Sequence, residues 1–172
     1  MSGQTALLKG GCFCGAATFS LSAPPLMSAY CHCTNCQRFT GEPNARPAPA
    51  IDYVYYLAAC PFVHTAHFDA SAFSWTHAGP HDDQLHSYIN PAKSWKKRWG
   101  CRTCGSPVSS YNSKTNRVSV WACQLERDEN GKIKNWEIIK PTSHMFYGTR
   151  ALDIGDDLSK WEGYEGISEK LA

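Results

Sequence analysis

Nine cysteines, at positions 12, 14, 31, 33, 36, 60, 101, 104 and 123, constrain this 172-residue chain more than any other feature. Seven of them fall in three tight clusters: Cys12-Phe13-Cys14, Cys31-His32-Cys33-Thr34-Asn35-Cys36, and Cys101-Arg102-Thr103-Cys104. The count is odd, and the opening MSGQTALLKGG lacks a basic stretch followed by an apolar segment. A secreted disulfide framework is therefore not expected; metal or thiol chemistry in a reducing, cytoplasmic setting is.

Zinc takes thiolate and imidazole ligands in tetrahedral sites, and a CxxC knuckle lets two sulfurs reach one ion at about 2.3 Å. One knuckle is half a site. Cys101 and Cys104 need partners, and Cys12 with Cys14 are the matching pair, flanked like them by glycines at 10, 11, 15, 100 and 105 that allow the backbone to fold round sulfur. A four-cysteine structural zinc is expected there. Cys31, Cys33 and Cys36 remain, and three protein ligands with a fourth position for something else is how catalytic zinc is held. Three thiolates on a dication leave a net negative charge, which favours a soft sulfur ligand over activated water. His32 is a rival fourth ligand, although a residue between two ligands points away from them. The triplet is also open to a purely structural reading in which Cys60, Cys123 or a histidine closes it. For Cys60 and Cys123 themselves, burial as small apolar residues is the expected fate.

The rest of the sequence reads as mostly β. Ala16–Leu21 and Arg117–Ala122 alternate polar with apolar residues, and 54–57, Leu85–Ile89, Val108–Tyr111 and Trp136–Ile139 are further strand candidates. Thr34–Phe39 and Leu158–Trp161 are expected to be short helices. The Pro/Ala-rich stretch 42–50 reads as an irregular loop, and 64–86, with five histidines, as a loop-rich region or a pocket wall. A 42% hydrophobic content supports a buried core, and one domain over 1–172 is the simplest count. A formal charge of +2 gives no reason to expect nucleic acid, and the short basic run Lys93–Arg98 reads as a strand with one basic face. The longest mostly apolar run, residues 53–63, has 11 residues and contains Pro61, against roughly 18 for a membrane span, so no membrane association is expected.

Gly10-Gly11-Cys12-Phe13-Cys14-Gly15, then Cys31-His32-Cys33-Thr34-Asn35-Cys36-Gln37-Arg38 with Gly41, then Gly100-Cys101-Arg102-Thr103-Cys104-Gly105-Ser106 together resemble the glutathione-dependent formaldehyde-activating enzyme family, also called the centromere protein V family. A late His144-Met145-Phe146 and Trp161 are similar to its C-terminal pattern, so the motif-bearing part runs over about 8–161. The resemblance implies an all-β, Mss4-like (β-tent) fold with zinc knuckles and few short helices. It also implies a structural zinc on Cys12, Cys14, Cys101 and Cys104, a second zinc on Cys31, Cys33 and Cys36, and carbon–sulfur lyase chemistry with glutathione as co-substrate. The segments 42–50 and 61–88 look longer than zinc binding requires and bear on the identity of the substrate.

The expected activity is zinc-dependent formation or cleavage of a carbon–sulfur bond in a thiol adduct of a small electrophile, with Cys31, Cys33 and Cys36 holding the ion. His32, His77, His86 and Asp82 are candidates for moving a proton, and Gln37 for orienting a reacting group. Arg38 and Arg98 are candidate clamps for the carboxylates of a thiol substrate. Two alternatives are a non-enzymatic zinc-binding recognition module, for which 12% aromatic residues would suit a cleft, and a zinc-dependent hydrolase or isomerase of a small metabolite. The expected partners are a small-molecule substrate and a second copy of the chain as a homodimer.

Overall fold

Short runs of alternating or apolar residues, broken every few positions by Gly, Pro or Asn, can bury one face only by pairing edge to edge. The computed structural model, which describes residues 6–39 and 60–172, is accordingly mostly β-sheet with few short helices. In chain order the elements are β1 (Leu8–Gly11), β2 (Thr18–Leu21), β3 (Met27–Cys31), α1 (Thr34–Phe39), β4 (Val63–Asp69), β5 (Phe73–Trp75), α2 (His81–Gln84), β6 (Leu85–Ile89), β7 (Lys96–Cys101), β8 (Pro107–Asn112), β9 (Arg117–Trp121), α3 (Trp136–Ile139), β10 (Ser143–Met145) and β11 (Ser159–Lys160). No described helix is long and apolar enough to cross a membrane.

The described residues form two compact units, one of residues 6–29 and 64–141, the other of residues 30–39, 60–63 and 142–172. In the first, β1, β2 and β5 make an antiparallel sheet with Leu8 opposite Leu21 and Phe19 opposite Trp75. Hydrogen bonding also joins β4, β9, β8, β7 and β6 in that order, all antiparallel. Inward residues of these strands, including Phe19, Leu21, Phe68, Leu85, Val108 and Val120, form one core with Cys12 and Cys101 in it. Burying each large side chain contributes roughly 1.5–3 kcal/mol. In the second unit, β10 runs parallel to both β11 and the end of β3, with His144 opposite Tyr30 and Met145 opposite Cys31.

Strands β2, β6, β8 and β9 and helix α1 lie where the sequence places them. Three expectations are corrected. Trp136–Ile139 is one helical turn rather than a strand: Asn135, at φ 56°, reverses the chain, and the Lys140 N–H closes the turn on the Trp136 carbonyl at 2.7 Å. Around Leu158–Trp161 the structure has β11 rather than a helix. Its backbone bonds go to β10 and to the last residues, the Leu171 N–H reaching the Lys160 carbonyl at 2.7 Å. Between residues 64 and 86 the chain is not loop-rich but carries β4, β5, α2 and the start of β6. The basic run divides into a 3-10 turn over Pro91–Lys93 and the start of β7. The segment 42–50 and the strand candidate 54–57 lie outside the described residues.

Candidate metal centres

The first cysteine cluster is built in the first unit by two tight turns. One follows β1 and one follows β7, and each closes on a glycine in the left-handed region, Gly15 at φ 79° and Gly105 at φ 73°. The turns aim backbone N–H groups at sulfur. Ala17 N–H points to Cys12 Sγ at 3.2 Å, and Thr103 N–H to Cys101 Sγ at 3.3 Å. The turns also bring together the sulfurs of Cys12, Cys14, Cys101 and Cys104, all within 4.8 Å of one another. Cys12 and Cys14 Sγ are 3.6 Å apart, and Cys14 and Cys101 Sγ 3.8 Å. Those separations are far beyond the roughly 2.05 Å of a disulfide bond. They match the edge of a tetrahedron with metal–sulfur bonds of about 2.3 Å, which is about 3.8 Å.

The electrostatics of these thiols fit a ligand set. Burial pushes the Cys101 thiol up to about 12. For Cys104 burial acts the same way, but the Ser106 hydroxyl and amide bring it down to about 6. Four sulfurs at these distances cannot all carry charge without a cation among them.

The second cluster lies in the second unit, where β3 ends at Cys31 and α1 opens at Thr34. Cys31, Cys33 and Cys36 bring their sulfurs within 4.8 Å of one another, and among the described residues no fourth cysteine, histidine or carboxylate joins them. Cys31 is buried; Cys33 and Cys36 are half-buried. Hydrogen bonds from the Cys31 and Cys36 thiols, with the Cys36 and Asn35 amides, hold the Cys33 thiol down to about 2, while the Cys33 and Cys36 side chains, with burial, push Cys31 up. The first turn of α1 thus presents two N–H groups and the Cys36 sulfur to Cys33, and the end of β3 presents the Cys31 sulfur. This donor set fits a soft divalent cation.

His32 is turned away from the sulfurs, as expected of a residue between two ligands. It is fully buried, its Nε2 lies 2.8 Å from His144 Nδ1, and His144 Nε2 lies 2.9 Å from an Asp156 carboxylate oxygen. Burial, then the neighbouring His144 ring and the Arg150 charge, lower the His32 imidazole to about 4. Gln37 does not hang free for a reacting group: its Nε2 donates to the carbonyls of His32, at 2.7 Å, and of Thr149, at 3.1 Å. Arg38 is exposed on α1.

Arg98, His77, His86 and Asp82 belong to the first unit. Arg98 is buried in β7. His77 Nδ1 sits 3.2 Å from the Thr18 amide nitrogen, His86 lies in β6, and the Asp82 carbonyl accepts from Arg102 Nε. Cys60 is half-buried and Cys123 is exposed, so the expected burial of Cys123 is corrected, and neither joins a cluster among the described residues. Nothing in the sequence places His144 and Asp156 beside His32: His144 reaches it through the pairing of β10 with β3, and Asp156 joins through His144.

Residues 7–50 match the family model described as glutathione-dependent formaldehyde-activating enzyme. That span carries Cys12, Cys14, Cys31, Cys33 and Cys36 and ends before Cys101 and Cys104. Among solved structures the chain is similar to a Rhodobacter sphaeroides protein determined as a structural genomics target. The two are 20% identical, the match covers 73% of this chain and 96% of that one, and the TM-score is 0.45. No curated protein matches the chain.

Proposed function

We propose that the protein is a zinc-dependent enzyme of the carbon–sulfur lyase type, joining a thiol to a small carbonyl compound and reversing that reaction, with glutathione as the first thiol to test. The observation that supports this reading most is the difference between the two cysteine clusters. One supplies four sulfurs and the other three. Cys12, Cys14, Cys101 and Cys104 satisfy a tetrahedral ion completely and tie residue 12 to residue 104. Cys31, Cys33 and Cys36 supply three of four positions and leave one for a ligand from solution.

Zinc held by the triplet would stabilise negative charge on a substrate sulfur, lowering the cost of deprotonating a thiol or of expelling one. In the addition direction the thiol sulfur bonds to the carbonyl carbon, and the proton the thiol loses ends on the carbonyl oxygen as a hydroxyl. Cleavage runs the same steps backward. The chain's own contribution is positional. Cys36 N–H, 3.4 Å from Cys33 Sγ, anchors one sulfur, and Gln37 and Thr149 grip the His32 carbonyl between the two sulfurs on either side of it. Residues 7–50 match a family model described by this chemistry, which makes formaldehyde the first electrophile to try.

The test is carbon-13 NMR of labelled formaldehyde mixed with glutathione, with and without the zinc-loaded protein. Faster exchange between free formaldehyde and its glutathione adduct, absent in the Cys33→Ser variant, is the expected result. Exchange no faster than in buffer, for formaldehyde and for larger aldehydes, would reject the reading.

A further inference from the structure

His32 separates two of the triplet sulfurs in sequence, and every polar group it has except one is held by residues of the second unit. Its N–H donates to the Met145 carbonyl at 2.9 Å. Its carbonyl accepts from Gln37 Nε2 at 2.7 Å and from Thr149 Oγ1 at 3.1 Å. Its ring packs against Phe62 and the edge of Tyr147, with centroids 4.9 and 5.0 Å away. Beyond the ring runs a line of short contacts, from His32 Nε2 to His144 Nδ1 at 2.8 Å and from His144 Nε2 to both Asp156 oxygens at 2.9 and 3.1 Å. The line ends on Lys160, whose Nζ donates to Asp156 Oδ1 at 3.2 Å.

The chemistry of the end group orders the whole line. Asp156, bonded by a lysine as well as a histidine, is a carboxylate and can only accept. A His144 ring with a single proton carries it on Nε2, facing Asp156, and leaves Nδ1 as a lone pair, so that His32 donates from its own Nε2. The remaining atom, His32 Nδ1, is left as a bare acceptor. It is buried and has no hydrogen-bond partner among the described residues. Polar atoms this deep are almost always paired, so the ring orientation is being set at Nε2 at the expense of Nδ1.

We propose that Asp156 and His144 are positioning residues for the cysteine triplet: by fixing the tautomer and orientation of His32, they hold the backbone between Cys31 and Cys33 so that the two sulfurs stay at ligand spacing. This rests on reading the triplet as a metal site. The arrangement resembles the carboxylate–histidine supports behind metal ligands, with the difference that the supported imidazole is not itself a ligand but the spacer between two of them. Such supports govern metal affinity by about 10–100-fold.

The test measures cobalt affinity at each cluster by competition with a chromogenic chelator, for the wild type and for His144→Phe, Asp156→Ala and Asp156→Asn. In His144→Phe and Asp156→Ala the triplet should bind metal about 10–100-fold more weakly, while the four-cysteine cluster, an internal control for the fold, changes less than twofold. Asp156→Asn, whose amide oxygen still accepts from His144, should fall between them and the wild type. Unchanged triplet affinity, or equal loss at both clusters, would overturn the inference. If His144→Phe does not fold, Asp156→Ala, at the partly exposed end of the line, decides. Nitrogen-15 NMR of the wild-type imidazoles separates this inference from the metal reading beneath it. Both rings should carry the proton on Nε2, and a proton on Nδ1 of either would contradict the line. A protein that takes only one metal ion yet shows those tautomers would reject the second metal site and leave the histidine line standing.

Discussion

The sulfurs of Cys14 and Cys101 lie 3.8 Å apart although 87 residues separate them in the chain. Such a contact between two loops is costly in chain entropy and in crowded thiols, and an ion bonded to both would offset that cost. Cys101→Ser should therefore lower the melting temperature of the zinc-loaded protein by roughly 10 °C or more, as expected for loss of several kcal/mol in a domain of this size. Cys33→Ser should lower it by much less. Equal losses in thermal melts would mean that the triplet is as structural as the four-cysteine cluster.

Chelation should distinguish the same two clusters without mutation. Four protein ligands hold an ion more firmly than three, so dialysis against a mild chelator should remove one of two zinc ions first and leave a folded protein. Elemental analysis with circular dichroism follows both quantities. Simultaneous loss of both ions and of structure would contradict two sites of different strength.

Much of this was legible in the sequence because cysteine spacing is a local signal that maps directly onto metal geometry. Of the five glycines expected to let the backbone fold round sulfur, Gly15 and Gly105 take the positive φ of a turn, whereas Gly10, Gly11 and Gly100 lie in β1 and β7 without it. Alternation found β2 and β9 because one face of each is buried. It failed at Trp136–Ile139, where four residues are too few to tell a strand from one turn of helix and Asn135 decides the matter. It failed at Ser159–Lys160 because a two-residue strand is defined by its neighbours, β10 and the tail at Leu171 and Ala172, and not by its own pattern. The line from His32 to Asp156 was illegible for a related reason. His32 and His144 are 112 residues apart, and nothing in either neighbourhood signals the other until β10 pairs with β3.

Stability should also depend on pH through two histidines of β4. Burial lowers the His64 imidazole, and burial with the nearby Lys96 and Arg117 charges lowers His67 to about 3. Both are therefore neutral when folded, whereas the unfolded chain takes up their protons near pH 6.5. Because the unfolded state binds more protons, stability is fully present above about pH 6.5 and is lost as pH falls from there toward 3. Melts between pH 7.5 and 5 in excess zinc should show this decline, and it should be shallower in His67→Gln. Parallel profiles for variant and wild type would show that His67 does not contribute.

In the proposed function the three-sulfur cluster holds an ion that takes a thiol as its fourth ligand, and cobalt substitution reads that position directly. Titrating glutathione into the cobalt-loaded wild type should strengthen the sulfur-to-metal charge-transfer absorption and shift the ligand-field bands, since a fourth sulfur joins three. Cys36→Ser, which leaves the four-cysteine cluster intact, should respond less or not at all. A cobalt spectrum indifferent to glutathione and to smaller thiols, but altered by a metabolite without sulfur, would contradict carbon–sulfur chemistry at this site.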